Sequence, residues 1–393
     1  LTNGGVSIGL QTGGGSSATA LGNRACASGN GSASIGHCAV VTSDCGISIG
    51  KASFVCAPYA IAMGSEDFSN VVGCIQTVAR EACSIAIGKS AQTYPGATGT
   101  IVLGNSSNGG TGACNSVVIG NNNQNKGTNS VILGINNTIC SGSGSLVTGC
   151  CNTAGELQTF IFGQNNCSTG GLARGSNFVN GVIGSNNTNT SVYDGGSFVA
   201  GWTNTGAGYL TATFGQNNTQ GYNINGLVSG NANYAASENS YIFGSNNCGA
   251  SNTSLTVGNN NINQGYAITT ELNNIFGQYN CIIMSCTAAI LAGCQNKICG
   301  VMYDTPGRPK FDVIIGGADN TIGLYACNSV IVGGLSNTIP AATGPSGAFN
   351  NTIMLGTISR TATIPNATYV ENLVIPSYAT LNFATTRQQL QEE

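Results

Sequence analysis

Short apolar segments that end in glycine recur along the chain. Ile35, Ile49 and Met63 each stand directly before a glycine, and those glycines follow one another at steps of 14 residues. The same step returns between Gly120 and Gly134, while longer steps elsewhere indicate inserted loops. Fourteen residues are too few for a helical hairpin repeat. They fit one turn of a parallel β-solenoid with two short strands and two corners.

Large apolar residues occupy two positions of the repeat, the one directly before the glycine and the one two residues earlier. In one turn these are Ile47 and Ile49. Side chains alternate along a strand, so both residues share one face, and we expect that face to fill the interior of the coil. The residue between them, Ser48 here and Ile132 in a later turn, is then expected to point outward. Because that face carries no charge, we expect other copies of the chain to cover it in a homotrimer.

Asparagine marks a corner of the later repeats, three residues after the glycine. A left-handed conformation is easily adopted by asparagine, and amides stacked one turn apart can hydrogen-bond to each other. An exposed polar stripe that binds a ligand is the alternative interpretation. The predicted structural ladder comprises Asn123, Asn137, Asn152, Asn166, Asn187, Asn218, Asn247 and Asn261.

Composition excludes several kinds of partner. Only 6% of the 393 residues are charged, the net charge is −3, and no run of basic residues exists. Nucleic acid is therefore not an expected partner. The longest apolar stretch, residues 281–294, is too short and too often interrupted to cross a bilayer, so no membrane insertion is expected.

The 17 cysteines fall where other turns have Ala, Ser or Ile, and we expect free thiols that behave as small buried apolar residues. Later oxidation of stacked cysteines stays open.

The sequence contains few candidate catalytic residues. His37 is the single histidine, so a Ser-His-Asp or Cys-His arrangement depends on one residue at a repeat corner. The segment Gly88-Lys89-Ser90 resembles the end of a phosphate-binding loop, but Cys83 stands where that motif needs glycine. We expect no enzyme activity, no catalytic or metal-binding residues and no cofactor.

Irregular insertions break the repeat and are expected to protrude as loops, the usual place for binding residues. One insertion, residues 193–208, brings aromatic side chains, and another, residues 299–310, brings charge. The candidate receptor-contact residues are Trp202, Tyr209, Tyr303, Asp304, Arg308 and Lys310.

Two segments, residues 33–39 (Ala-Ser-Ile-Gly-His-Cys-Ala) and 83–91 (Cys-Ser-Ile-Ala-Ile-Gly-Lys-Ser-Ala), resemble the head repeats of trimeric autotransporter adhesins of the Yersinia adhesin type. The resemblance is clearest over residues 5–140 and implies a left-handed parallel β-roll of three chains that binds host surfaces. Near the C-terminus, residues 366–373 and 381–384 resemble tail-proximal segments of phage and giant-virus fibre proteins. This second resemblance favours a viral fibre over a bacterial adhesin.

The expected fold is all-β, a homotrimeric parallel β-solenoid with turns of about 14 residues and loop insertions. We expect three regions: residues 1–119 with Ala/Ser corners, 120–357 with Asn corners, and 358–393 as a β or neck segment leading to further chain. The expected function is a virus or phage fibre shaft or tip on the virion surface, displaying loops to a host glycan or protein receptor and joined to other virion or fibre proteins. The alternatives are a bacterial trimeric adhesin head on the cell surface and a self-polymerising extracellular filament subunit.

Overall fold

The computed structural model describes residues 4–10, 12–65, 76–155, 158–169, 179–190, 196–265, 272–283, 285, 287–299, 311–341 and 349–370. These residues form strands, turns and bends and contain no helix. They wind into a parallel β-solenoid of about 21 turns. The chain divides into two compact units, Leu1–Asn263 and Gln264–Glu393.

Each turn of the first unit contributes one strand to each of two sheets, which we call sheet A and sheet B. Sheet A consists of Val6–Ile8, Thr19–Leu21, Ala33–Ile35, Ile47–Ile49, Ile61–Met63, Ile85–Ile87, Ile101–Asn105, Val117–Asn121, Val131–Ile135, Leu146–Cys150, Thr159–Gln164, Asn180–Ser185, Ser197–Trp202, Thr211–Gln216, Leu227–Asn231, Ser240–Ser245 and Ser254–Asn259. Sheet B consists of Gly13–Gly14, Cys26–Ala27, Val40–Val41, Phe54–Val55, Val78–Ala79, Gln92–Thr93, Asn108–Gly109, Gln124–Asn125, Thr138–Ile139, Thr153–Ala154, Cys167–Ser168, Thr188–Asn189, Thr205–Tyr209, Thr219–Ile224, Tyr234–Ala235, Cys248–Gly249 and Ile262–Gln264.

The second unit repeats this organisation. Its sheet A strands are Leu272–Gln278, Thr287–Cys294, Phe311–Ile315, Val330–Val332, Ile353–Leu355 and Thr368–Val370. Its sheet B strands are Cys281–Ile283, Lys297–Cys299, Thr321–Ile322 and Thr338–Ile339. The strand Thr368–Val370 pairs in parallel with Ile353–Leu355, so the coil continues into the region expected to be a neck.

The strands pair in register from turn to turn, apart from single-residue shifts after Gly206 and after Phe276. Val131 pairs with Val117, fourteen positions earlier, and Gly134 pairs with Gly120. Where a turn is longer, the register of the pairing is kept: Ile85 pairs with Ile61 and Gly184 with Gly163. Extra residues therefore leave the stacking of equivalent positions unchanged.

The repeat glycine is required by its backbone conformation and by the turn stacked on it. Gly134 has a φ of 132°, a region that residues with a Cβ rarely adopt. A Cβ built there would also lie 1.9 Å from the carbonyl oxygen of Gly149 in the next turn. These two constraints explain why glycine recurs at this point of the coil.

The prediction of which sheet A residues face the interior is wrong, because the buried and exposed positions of each strand are exchanged. Val118, Ile132 and Ile161, expected to point outward, are fully buried inside the coil. The flanking large residues, Ile119 and Leu133 among them, lie on the outer surface. A coil with three residues per early strand has room for one inward side chain on that strand, so the central residue of each Ile-x-Ile triplet faces in. Small residues such as Ser34, Ser48 and Ala62 occupy this position in the narrow early turns.

Inward side chains from the two sheets fit each other in size. In the second unit the interior is dominated by isoleucine, for example Ile290 of sheet A and Ile298 of sheet B. Where sheet B places a glycine inward, the opposing residue of sheet A fills the space. A Cβ at Gly249 would lie 2.7 Å from Cδ1 of Ile242, and one at Gly206 would lie 2.5 Å from Cγ2 of Val199. The core is thus a stack of complementary layers, with one layer in each turn.

The two corners of the coil differ in how much their length varies. The first corner runs from sheet A to sheet B, and from Gly120 onward the ladder asparagine always stands three residues after the glycine and directly before sheet B. The second corner runs from sheet B back to sheet A. It is short between Asn125 and Val131 but spans more than ten residues between Cys299 and Phe311. Among the described residues no helix is long and apolar enough to cross a membrane.

Candidate functional site

A continuous asparagine ladder lines the first corner of the coil. In each of these turns the side-chain Oδ1 accepts the backbone N–H of the asparagine one turn later, as in Asn137 N–H to Asn123 Oδ1 at 3.0 Å. The side-chain amide donates to the carbonyl of the glycine one turn later, as in Asn123 Nδ2 to Gly134 at 2.7 Å. In the first unit the ladder comprises Asn123, Asn137, Asn152, Asn166, Asn187, Asn204, Asn218, Asn233, Asn247 and Asn261.

These asparagines are buried, so they form no exposed ligand-binding stripe. Their expected left-handed conformation belongs instead to the residue before each of them. Asn122 and Asn136 have φ values of 54° and 56° and are exposed, and Asn122 Nδ2 donates to Asn136 Oδ1 at 2.8 Å. The corner therefore needs two residues with different roles. One adopts positive φ at the surface, and the next turns its amide inward.

A second internal ladder, missed from the sequence, lines the other corner. Ser116 Oγ accepts the N–H of Ser130 at 3.1 Å, Ser130 Oγ that of Ser145 at 3.2 Å, and Ser145 Oγ that of Thr159 at 3.3 Å. In the second unit Asn273 accepts the N–H of Ala288 in the same way, at 2.9 Å. The signal in the sequence is a Ser or Thr four residues before the repeat glycine.

The outer surface of sheet A is an apolar stripe, which we call the sheet A stripe. It consists of the two outward positions that flank each buried strand residue. Ile119, Leu133, Phe162 and Phe214 are each 38% exposed. In the second unit the same surface carries exposed residues that include Leu291, Phe311, Ile315, Val332 and Leu355. Soluble monomers rarely expose apolar patches of more than about 600 Å².

An aromatic cluster forms part of this stripe. The rings of Phe160 and Phe198 lie two turns apart in the coil, yet their centroids are 6.0 Å apart. They approach because Gly181 occupies the outward position between them, where a Cβ would lie 2.2 Å from Cζ of Phe160. Phe214 continues the cluster, with its centroid 5.4 Å from that of Phe198. The sequence separates these residues by up to 54 positions, so no local pattern indicates the cluster.

Two of the candidate receptor contacts lie in strands rather than in a protruding loop. Trp202 ends the strand Ser197–Trp202 and is 57% exposed, and Tyr209 ends the strand Thr205–Tyr209 and is half-buried. The expected loop over residues 193–208 is wrong for this part, because Ser197–Trp202 pairs with sheet A strands on both sides. Tyr303, Asp304, Arg308 and Lys310 lie outside the described residues.

The cysteines were expected inside the coil, and the structure places the described ones at its surface. The 15 described cysteines are not joined in disulfides, and each is half-buried or exposed. Cys167, Cys248 and Cys281 each begin a sheet B strand whose second residue is the inward one. Burial among their neighbours raises the pKa of these three thiols, so they are held protonated at neutral pH.

Metal-binding chemistry has no support in the part of the chain that the structure describes, where no cluster of three or more His, Cys, Asp or Glu side chains occurs. The chain matches no protein-family model and none of the curated proteins with which it was compared. The functional interpretation therefore rests on the surfaces of the coil itself.

Proposed function

We propose that the chain is a non-enzymatic structural fibre protein, a homotrimer in which three solenoids pack through their sheet A stripes. It serves as a shaft or tip segment on a virus or phage particle and presents loops to a receptor on the host surface. The observation that carries this proposal is the sheet A stripe, since large apolar residues recur there turn after turn in a chain with only 6% charged residues.

The area of the stripe suits an association of chains. An aromatic side chain presents about 150–250 Å², so a phenylalanine that is 38% exposed leaves roughly 60–90 Å² of its surface open. About a dozen large apolar side chains of the first unit, aliphatic and aromatic, are exposed to a similar degree, and with the same area for each they add up to roughly 700–1,100 Å². A stable interface of ordinary size buries about 800 Å² on each partner. A second copy of the chain matches this surface, because each copy carries the same repeat spacing and the same stripe.

Three copies, rather than two, are supported by the resemblance of residues 5–140 to trimeric adhesin repeats. Closure around a three-fold axis covers both edges of every stripe with a neighbouring stripe. Display is supported by the second corner of the coil, where turns differ in length while the strands stay in register. Trimeric presentation multiplies weak receptor contacts through effective concentration.

The native mass of the chain under reducing conditions tests the proposal. We expect light scattering to give three chains for the wild type. The double variant Leu133→Asp, Phe162→Asp places charges in the stripe and should weaken the trimer by roughly a hundredfold or more, since buried like charges cost several kcal/mol. The matched control, Thr138→Asp with Thr153→Asp, places the same charges on the outer face of sheet B and should leave the trimer intact.

A monomeric wild type would refute the proposal. A mass that grows with concentration beyond three chains would favour the filament subunit instead. Equal weakening by the stripe variant and the sheet B variant would show that the charges act through folding and not through the stripe.

A further inference from the structure

Two adjacent cysteines stand where the repeat places other residues. Cys150 ends the strand Leu146–Cys150, at the position that Ile135 and Gln164 occupy in the neighbouring turns. Cys151 follows in the left-handed corner position with a φ of 58°, where the turns on both sides have asparagine. Cysteine is not among the residues that favour this conformation. Both substitutions thus depart from the repeat at one point of the surface.

The backbone of this corner holds the two thiols together. The N–H of Cys151 donates to the carbonyl of Ile135 at 2.9 Å, and the carbonyl of Cys150 accepts the N–H of Asn165 at 3.0 Å. The next residue, Asn152, is part of the buried ladder. With the chain anchored on both sides, the sulfur atoms of Cys150 and Cys151 lie 3.0 Å apart, and Cys151 is exposed. Groups fixed at this separation react as if at very high concentration.

We propose that Cys150 and Cys151 form a redox-active dithiol, which a small-molecule disulfide converts reversibly into a vicinal disulfide. The thiolate of Cys151 attacks one sulfur of the oxidant, forms a mixed disulfide and expels one thiolate. The thiolate of Cys150 then attacks the Cys151 sulfur, closes the Cys150–Cys151 bond and expels the second thiolate. Two electrons pass to the oxidant, and the two cysteine protons end on the two released thiols.

The surroundings assign the order of attack. The hydrogen bond to Cys151 raises the pKa of the Cys150 thiol and so disfavours the Cys150 thiolate as the first attacking group. Cys151 is exposed at the corner and meets the oxidant first. Attack by Cys150 follows within the same corner and needs no approach of a second molecule.

The closed form is expected to be readily reduced. Consecutive Cα atoms across a trans peptide bond are about 3.8 Å apart, whereas disulfides usually join Cα atoms about 4.4–6.8 Å apart. A ring closed at the shorter separation is strained, and strained disulfides are the easily reduced ones. The site is therefore suited to reversible oxidation and not to permanent cross-linking.

Oxidised glutathione is the probe that tests this dithiol on the complete chain. After incubation, blocking of the remaining thiols and proteolysis, mass spectrometry of the peptide with both residues should show the loss of two hydrogens and no attached glutathione. Excess reduced glutathione should restore both thiols. In Cys150→Ser the second attack is impossible, so glutathione should stay attached to Cys151. Cys167→Ser, which removes a half-buried thiol in the next turn, should oxidise like the wild type.

Three results would overturn the proposal. They are a wild-type chain that keeps glutathione on Cys151, one that leaves both thiols unmodified, and one that joins either residue to a different cysteine. The wild-type result decides even if Cys150→Ser fails to fold. Circular dichroism of the variant shows which case applies.

Discussion

Removal of one rung of the asparagine ladder should open the coil locally. Asn137 makes four side-chain hydrogen bonds: its Nδ2 donates to Asn123 Oδ1 and to the Gly149 carbonyl, and its Oδ1 accepts the backbone N–H and Nδ2–H of Asn152. Asn137 itself is fully buried, and three of the four hydrogen bonds are buried as well. Each buried hydrogen bond contributes about 1 kcal/mol net. We therefore expect Asn137→Gly to destabilise this part of the coil by about 4 kcal/mol.

The adjacent residue offers a matched control. Asn136→Gly removes the same atoms from the same turn, but Asn136 is exposed, and its φ of 56° suits glycine. We expect this change to alter local stability by no more than about 0.5 kcal/mol. The greater freedom of an unfolded chain with one more glycine is common to both variants, so their difference isolates the ladder.

Hydrogen exchange followed by mass spectrometry measures the local stability of the turn that contacts Asn137. In Asn137→Gly the backbone N–H of Asn152 loses its acceptor, and exchange over residues 146–154 should accelerate by roughly a thousandfold, since 1.4 kcal/mol corresponds to a factor of ten. In Asn136→Gly the same peptide should exchange as in the wild type. Equal exchange in the two variants would refute the claim that the buried amides hold the turns together.

Two further predictions concern glycine and tyrosine. Gly134→Ala should prevent normal stacking of the turns, because its Cβ would lie 1.9 Å from a backbone carbonyl oxygen. Gly181→Ala should lower the stability much less, because its Cβ would meet the side-chain ring of Phe160, which can move. Thermal unfolding compares the two variants, and an equal decrease in Tm would contradict this distinction. Burial raises the pKa of Tyr369, but hydrogen bonds from the Thr363 side chain and from the backbone N–H groups of Ile364 and Thr363 outweigh it and lower the pKa below its usual 10.0. The free energy of unfolding of the wild type should therefore exceed that of Tyr369→Phe by an amount that grows as the pH rises towards 10 and stays at its maximum above pH 10. Denaturant titrations at several pH values measure this difference. A difference that does not change with pH would contradict the prediction.

The repeat and its strands were predictable, whereas the direction of each side chain was not. Glycine spacing indicates a coil because the glycine conformation and the close approach of the next turn allow no other residue at Gly134. Alternation shows that Ile47 and Ile49 share a face, but it does not say which face is inside. The assumption that larger side chains fill the interior failed, since a narrow coil holds one small residue, Ser48, on that strand.

The candidate sites show the same limit. The recurring asparagines in the sequence indicate stacking. Which asparagine adopts positive φ at the surface, as Asn122 does, and which accepts a hydrogen bond in the interior, as Asn123 does, depends on the corner geometry. Phe160 and Phe198 meet because of the register and because Gly181 lies between them. Such contacts between turns arise from the folded coil, and no pattern within one repeat contains them.

The unequal corners set where this molecule can change over evolutionary time. Beyond Gly120 the long insertions enter at the second corner, and the three-residue step from glycine to ladder asparagine is kept even where a single extra residue, Ala292, precedes the glycine. The one long first corner, between Met63 and Val78, occurs before the asparagine ladder begins. An inserted residue at a ladder corner would detach the amide from both neighbouring turns, whereas the second corner accepts new sequence without cost to the register. The same coil can thus acquire new peptide segments by insertion at that corner while its framework remains constant, which also makes it the natural position for grafting foreign peptides.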